Sequence, residues 1–169
     1  ILELLGPVPI PVDDLSRRSG GRKAKSVVFT AEQIATRVAS LGREITAAYP
    51  DGDLLLLGLL KGSFIFLADL VRAVERPLQV DFLVASSYGS GTVSSGNVRL
   101  LYDPATDLAG KHIVVVEDII DSGRTLTRLV ELLRARHPAS LAICTLLDKQ
   151  IAPVPPPELR FVGFHAPSA

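Results

Sequence analysis

Short apolar runs alternate along this chain with segments in which apolar residues recur every three or four positions. The run Leu54–Leu60 is apolar throughout apart from Gly58, which predicts a strand buried on both faces, as in a parallel sheet. The same reasoning predicts strands over residues 27–29, 80–86, 112–116, 141–147 and 161–164.

Helical spacing follows several of these runs. Ile34, Val38, Leu41 and Ile45 predict an amphipathic helix, and Thr30 with Gln33 three residues on predicts a capping box at its start. Further helices are predicted over residues 62–74 and 125–136. Strands that alternate with helices indicate an α/β fold, with a central, mostly parallel sheet flanked by helices.

Three segments lack such patterns. Residues 1–26, rich in Pro, Gly and basic side chains, are expected to be an irregular leader before a domain at 27–169, with a basic partner-binding arm as the alternative. Residues 88–97 are mostly Gly and Ser, and their place directly after a strand favours a flexible active-site lid over a plain linker. The Pro-rich residues 153–157 are expected to be a stiff connector.

Composition narrows the classes of function. The 169 residues are 47% hydrophobic, which fits one domain with a real core. Eighteen basic and eighteen acidic residues balance, so we expect neither a nucleic acid nor a membrane as partner. No apolar run reaches the roughly 20 residues of a membrane span. The single cysteine, Cys144, is expected to be a buried core residue, which suits a cytoplasmic protein.

The candidate chemistry follows the predicted strand at 112–116. Glu117 and Asp118 come first, then Asp121, and then Ser122, Gly123 and Thr125 at the start of the next helix. A polar turn before a helix N-terminus can hold a phosphate, and adjacent carboxylates suit ribose hydroxyls and a magnesium ion. No P-loop motif and no dinucleotide-binding glycine motif follows a strand.

Polar residues also follow three other predicted strands, at Lys61-Gly62, Ser87-Tyr88 and Asp148-Lys149. In open α/β sheets, ligands bind beyond the carboxyl ends of the strands. We therefore expect these four groups to meet at one edge of the sheet.

These motifs resemble those of a known family. Residues 117–125, Glu-Asp-Ile-Ile-Asp-Ser-Gly-Arg-Thr, are similar to the phosphoribosyl-pyrophosphate (PRPP) signature of type I phosphoribosyltransferases. Leu-Lys-Gly-Ser-Phe at 60–64, Val-Asp-Phe at 80–82, Ser-Ser-Tyr-Gly-Ser-Gly at 86–91 and Leu-Leu-Asp-Lys at 146–149 resemble the hypoxanthine (hypoxanthine-guanine) phosphoribosyltransferases, especially the bacterial ones. The match runs in order from about residue 27 to 167.

The resemblance implies a type I phosphoribosyltransferase fold with a lid, and a reaction of purine salvage. PRPP and a 6-oxopurine base give a nucleoside monophosphate and pyrophosphate, with Mg2+ as cofactor. It also implies a homo-oligomer, either a dimer or a tetramer. Most of the rate would come from positioning and electrostatic stabilisation.

The family's roles carry over to matching positions. Glu117 and Asp118 would hold the ribose hydroxyls directly or through the metal. Asp121 would act as general acid or base at the purine N7. Without the surrounding motif, Asp121 would be interpreted as the N-cap of the following helix. Lys61 and Gly62 would bind pyrophosphate, after a peptide bond that can be cis in this family. Lys149 would donate to purine O6, and Ser87 and Tyr88 would begin the lid. The PRPP-binding residues would be Glu117, Asp118, Ile119, Ile120, Asp121, Ser122, Gly123, Arg124 and Thr125.

The resemblance has gaps. Gln150-Ile151-Ala152-Pro153 replaces a Pro-Ser-Arg-Arg-like stretch, and Val-Gly-Phe-His-Ala-Pro at 162–167 resembles the family's Val-Gly-Phe-Glu-Ile-Pro. The family pattern then continues with a purine-stacking aromatic, an aspartate and an arginine, so a chain ending at Ala169 is expected to bind PRPP better than base and to turn over weakly. The alternatives are a PRPP-binding regulator without catalysis, a phosphoribosyltransferase for another base such as xanthine, uracil or orotate, and an unrelated α/β binding domain.

Overall fold

A computed structural model describes residues 20–21, 27–87, 98–121, 123–151 and 155–166. The helices are α1 (Ala31–Ala48), α2 (Phe64–Ala73) and α3 (Arg124–Arg134). The strands are β1 (Leu54–Leu60), β2 (Gln79–Ser87), β3 (Val98–Tyr102), β4 (His112–Ile120), β5 (Ser140–Asp148) and β6 (Leu159–His165).

The strands form one six-stranded sheet in the order β3-β2-β1-β4-β5-β6. The pairs β1–β2, β1–β4, β4–β5 and β5–β6 are parallel, and only the edge pair β2–β3 is antiparallel. The order reverses direction at β1, which places a topological switch point between β1 and β4. The predicted α/β class, with a mostly parallel central sheet and flanking helices, is confirmed.

The position of β1 and β4 in the core explains why their sequences are almost continuously apolar. Leu54–Leu57 and Ile113–Val116 are almost completely buried, because helices cover a parallel sheet on both faces. On one face, Leu126, Leu129, Val130 and Leu133 of α3 pack against this core. Cys144 is buried in β5, as predicted.

Two compact units divide the chain, Ile1–Arg37 and Val38–Ala169. In the first unit, Gln33 N donates to Thr30 Oγ1 at 3.1 Å and Thr30 N donates to Gln33 Oε1 at 2.8 Å, which confirms the predicted capping box. The second unit contains the whole sheet. Within the described residues, no helix combines the length and hydropathy needed to cross a bilayer.

Several predicted elements need correction. Residues 27–29 form no strand. Val27 and Val28 are about half exposed and the chain bends there before α1, so these residues pair with none of the described strands despite their high β-propensity. Strand β3 was not predicted. The predicted loop at 88–97 and residues 153–154 of the predicted connector lie outside the described residues.

Most element boundaries shift by one or two residues, but β4 extends four residues beyond its predicted end at Val116. The extension has a clear cause, since β4 continues to pair with β5 through Ile119↔Leu147 and Ile120↔Asp148. Glu117 and Asp118 therefore lie in the strand itself, and the turn begins only at Asp121.

Candidate active site

The carboxyl ends of the parallel strands bring the predicted polar groups to one edge of the sheet. Strands β1, β2, β4 and β5 end at Leu60, Ser87, Ile120 and Asp148. Lys61 and Lys149 follow their strands directly, whereas Glu117 and Asp118 belong to the last residues of β4. A cavity of about 230 Å³ opens at this edge between β4 and the start of α3. It is lined by Leu59, Glu117, Ile119, Ile120, Asp121, Gly123, Thr125 and Leu126.

The turn from β4 into α3 ends in a glycine cap. Gly123 has a φ of 71°, a left-handed conformation that glycine adopts without the penalty of a Cβ atom, and it is the residue directly before α3. The first-turn amides of a helix have no partners within it and lie at the positive end of its dipole, so they can bind a phosphate. Because Gly123 is the cap, Asp121 does not serve as one, and it is one of the residues that line the cavity.

The two carboxyls at the end of β4 interact with each other. Burial of the Glu117 carboxyl, with its hydrogen bond to the Asp118 carboxyl and the repulsion between them, raises the pKa of Glu117 to about 8. A backbone hydrogen bond opposes this rise, since Asp118 N donates to Glu117 Oε1 at 3.1 Å. Ile119 N in turn donates to Asp118 Oδ1 at 3.0 Å. The pair can therefore accept hydroxyl donors or a cation once Glu117 loses its proton.

Gly62 lies directly against Asp118. A Cβ atom added to Gly62 would stand 2.6 Å from Asp118 Oδ2 and 2.7 Å from Oδ1, closer than real contacts allow. The segment that the sequence suggests for pyrophosphate thus adjoins the carboxylate suggested for ribose or metal. The peptide bond between Leu60 and Lys61 is cis, as the family resemblance led us to expect.

Lys149 and Asp121 meet across the ends of β4 and β5. The Lys149 ammonium lies 3.4 Å from Asp121 Oδ2, and the Lys149 backbone N–H donates to the Ile120 carbonyl at 3.0 Å. Both side chains are about half exposed, so the contact faces the open edge rather than the core. A hydrogen-bond donor and an acceptor therefore stand side by side next to the cavity.

The structure describes some of the predicted site residues only in part. Ser87 is the last residue of β2, but its side chain, like that of Arg124, is not among those described. Tyr88 and Ser122 lie outside the described residues. Sequence reasoning overlooked the apolar wall made by Leu59 and Leu126, whose only signal was their position beside the polar motifs.

The donor set suits magnesium. Mg2+ takes oxygen ligands and is commonly held by one or two carboxylates together with substrate phosphates and water. Glu117 and Asp118 provide two such carboxyl groups, next to each other at the end of β4. No cluster of three or more His, Cys, Asp or Glu side chains suited to a metal occurs in the described part of the chain.

Comparison with known proteins agrees with this geometry. The phosphoribosyl transferase domain model matches residues 26–167. A hypoxanthine phosphoribosyltransferase of Salmonella typhimurium is 49% identical over 143 residues, which cover 83% of this chain and 80% of that protein. A hypoxanthine-guanine phosphoribosyltransferase of Mycobacterium avium is 49% identical over 150 residues, 85% of this chain and 74% of that protein.

The fold has solved counterparts. The crystal structure of a hypoxanthine-guanine phosphoribosyltransferase from Bacillus anthracis superposes with a TM-score of 0.78 at 38% identity, covering 86% of each chain. The chain therefore belongs to the phosphoribosyltransferase family.

Proposed function

We propose that this protein is a hypoxanthine phosphoribosyltransferase of purine salvage. It transfers the 5-phosphoribosyl group from PRPP to hypoxanthine or guanine, giving the nucleoside monophosphate and pyrophosphate. The observation that carries the proposal is the meeting, at one sheet edge, of the Lys149–Asp121 contact and the Gly62–Asp118 contact beside the turn into α3. The names of the relatives favour this activity over a non-catalytic regulator.

The base would bind where Lys149 and Asp121 meet. A 6-oxopurine presents the O6 acceptor and the N7–H donor on one edge, so an ammonium and a carboxylate side by side match it. Lys149 would donate to O6, and a 6-amino group in that place would leave the ammonium without an acceptor. Asp121 would accept the N7 proton as N9 bonds to the ribose C1.

The sugar phosphate would bind along the turn into α3. Backbone N–H groups at Ser122, Gly123, Arg124 and Thr125 would hold the 5′-phosphate, with Ile119 and Ile120 lining the approach. Glu117 and Asp118 would accept the ribose hydroxyls, which fixes C1 opposite the base. As the bond to pyrophosphate breaks, positive charge develops on the sugar, and the nearby carboxylates would stabilise it.

The leaving group would bind at Lys61 and Gly62. The Lys61 ammonium would pair with pyrophosphate, and Gly62, which is exposed and lies against Asp118, would offer its backbone N–H. Magnesium, held by Glu117 and Asp118, would neutralise charge on the pyrophosphate. Ser87 and Tyr88 would begin a lid that excludes water from the reacting centre.

The same proposal includes a cytoplasmic location and assembly into a dimer or tetramer. The single buried Cys144 fits a reducing compartment. Sedimentation of the purified full-length protein would measure the assembly directly.

A turnover assay tests the activity. The full-length protein is incubated with PRPP, MgCl2 and, separately, hypoxanthine, guanine, xanthine and adenine, and both nucleotide and pyrophosphate are quantified. We expect IMP and GMP with one pyrophosphate each, and no AMP. Heat on PRPP binding without product from any base would support the regulator, and faster conversion of xanthine than of hypoxanthine or guanine would reassign the substrate.

A further inference from the structure

Asp148 is a buried carboxylate that the proposed mechanism does not use. Only 8% of the residue is exposed, and it ends β5 directly before Lys149. In the sheet it stands between Ile120 of β4 and His165 of β6. Burying a carboxylate is costly unless partners compensate it, so its contacts call for an explanation.

The contacts of Asp148 all fix the turn that follows it. Its Oδ1 accepts a hydrogen bond from Gln150 N at 2.9 Å, and its backbone carbonyl accepts one from Ala166 N at 2.8 Å. Its Oδ2 lies 3.6 Å from Nδ1 of His165, within ion-pair distance. Asp148 therefore contacts Gln150, on the other side of Lys149, and it also contacts the end of β6.

The turn is one that needs such support. Gln150 has a φ of 55°, in the left-handed region that residues with a Cβ atom seldom adopt. Lys149 itself is bonded to β4 through its backbone N–H. Its side chain is 43% exposed, so packing alone does not fix where the ammonium points. The conformation of the turn therefore matters for where the Lys149 ammonium lies relative to Asp121.

We propose that Asp148 and His165 are positioning residues for Lys149: together they hold the turn after β5 so that the Lys149 ammonium meets the O6 of a 6-oxopurine. This inference rests on the proposed function. It gives His165 a part in base recognition without contact to the base. It also assigns Asp148 to base binding rather than to the metal or to PRPP.

Two variants test the inference in the full-length protein. Asp148→Asn keeps an acceptor for Gln150 N but removes the charge that faces His165, and His165→Gln removes the other side of the pair. We expect Asp148→Asn to raise the KM for hypoxanthine about fivefold or more, as for a weakened charged hydrogen bond, and His165→Gln to raise it about twofold. The KM for PRPP should stay unchanged in both. His137→Asn, an exposed histidine at the opposite edge of the sheet, is the matched control and should change neither constant.

A combination with Lys149→Gln separates positioning from general stability. If His165 acts through Lys149, then His165→Gln should have no further effect on IMP affinity, measured by calorimetry, once Lys149 is replaced. An equal effect in both backgrounds would overturn the inference. Equal rises in the KM for base and for PRPP would do the same.

Failure of the proposed function gives a different pattern. An active wild-type enzyme with unchanged constants in both variants would overturn the inference alone. A wild-type protein that neither forms IMP nor binds it would overturn both. If Asp148→Asn does not fold, as judged by its melting transition, His165→Gln carries the test, because the His165 side chain is 56% exposed.

Discussion

The Lys149 ammonium and the Asp121 carboxylate lie 3.4 Å apart, joined across the ends of two neighbouring parallel strands. The contact is half exposed, so its own contribution to folding stability is small. Its significance is chemical: it places a hydrogen-bond donor directly beside a carboxylate that can accept a proton. A purine would have to insert its N7–O6 edge at this pair.

Asp121→Asn should therefore abolish most turnover. The amide cannot take the N7 proton, and loss of a general base typically lowers rates by about 10²- to 10⁴-fold, so we expect a fall in kcat of that order. The affinity for PRPP, measured by calorimetry with MgCl2, should change little. Asp69→Asn, on the exposed face of α2, is the control and should remain fully active. An Asp121→Asn enzyme with near-normal kcat would remove Asp121 from the proton transfer.

The raised pKa of Glu117 makes stability and substrate binding depend on pH. The carboxyl has a pKa near 4.5 when unfolded and about 8 in the folded protein, so the folded state retains its proton over that interval. The contribution of Glu117 to the free energy of unfolding should be greatest below about pH 4.5 and should decline as pH rises to about 8. For this one group the slope is at most about 1.4 kcal/mol per pH unit.

Glu117→Gln isolates this effect. Urea denaturation at several pH values should show a smaller decline in stability for the variant than for the wild type. Affinity for Mg·PRPP should rise with pH up to about 8 in the wild type, since the ionised carboxyl is the better acceptor, and should be lower and flatter in the variant. Comparing the two proteins cancels the titration of PRPP itself. Parallel pH profiles would show that Glu117 does not titrate in this range.

Asp81 anchors the connection between β3 and β4. Its carboxylate accepts hydrogen bonds from Phe82 N at 2.7 Å and Thr106 N at 2.8 Å. Burial alone would raise the pKa of Asp81, but hydrogen bonds from Thr106, Phe82 and Ala105 outweigh it and hold the pKa below its ordinary value of 3.8.

Asp81→Ala should cost about 1–3 kcal/mol of folding stability at neutral pH, because two backbone donors lose a charged acceptor. A lowered pKa means that the contribution is present above about pH 4 and is lost as pH falls through the folded-state value. Urea denaturation at pH 7 and pH 3 measures both effects. Asp107→Asn, an exposed residue in the same connection, should be nearly neutral, and an equally large loss there would contradict the assignment.

Sequence patterns predicted the parallel part of the sheet well because those strands are buried on both faces. Leu54–Leu60 is the clearest case, since a seven-residue apolar run flanked by turn signals is typical of a strand covered on both faces. Strand β3 escaped prediction because it is an edge strand whose Leu101 and Tyr102 are exposed, so it shows no apolar alternation. Its pairing with β2 is a tertiary contact that local pattern does not encode.

The residue types of the candidate site could be predicted from the sequence, but their arrangement in space could not. Motif spacing identified Glu117, Asp118, Asp121 and Lys149, yet the extension of β4 past Val116 depends on the length of its neighbour β5. The contact between Asp148 and His165 depends on the register of β5 and β6, which lie 17 positions apart at that point. Such long-range pairs emerge only when the sheet is assembled.

Gly62 should tolerate no side chain while Asp118 keeps its carboxylate. In Gly62→Ala the new methyl would collide with both Asp118 oxygens, so the carboxylate must move, and we expect the affinity for Mg·PRPP to fall about tenfold or more, as for a lost charged hydrogen bond. Asp118→Ala provides the control: on that background the same glycine change should have little further effect, because the obstacle is gone. Calorimetric titration of the four proteins measures this coupling. Additive losses would mean that Gly62 acts through its own backbone contact with pyrophosphate and not through Asp118.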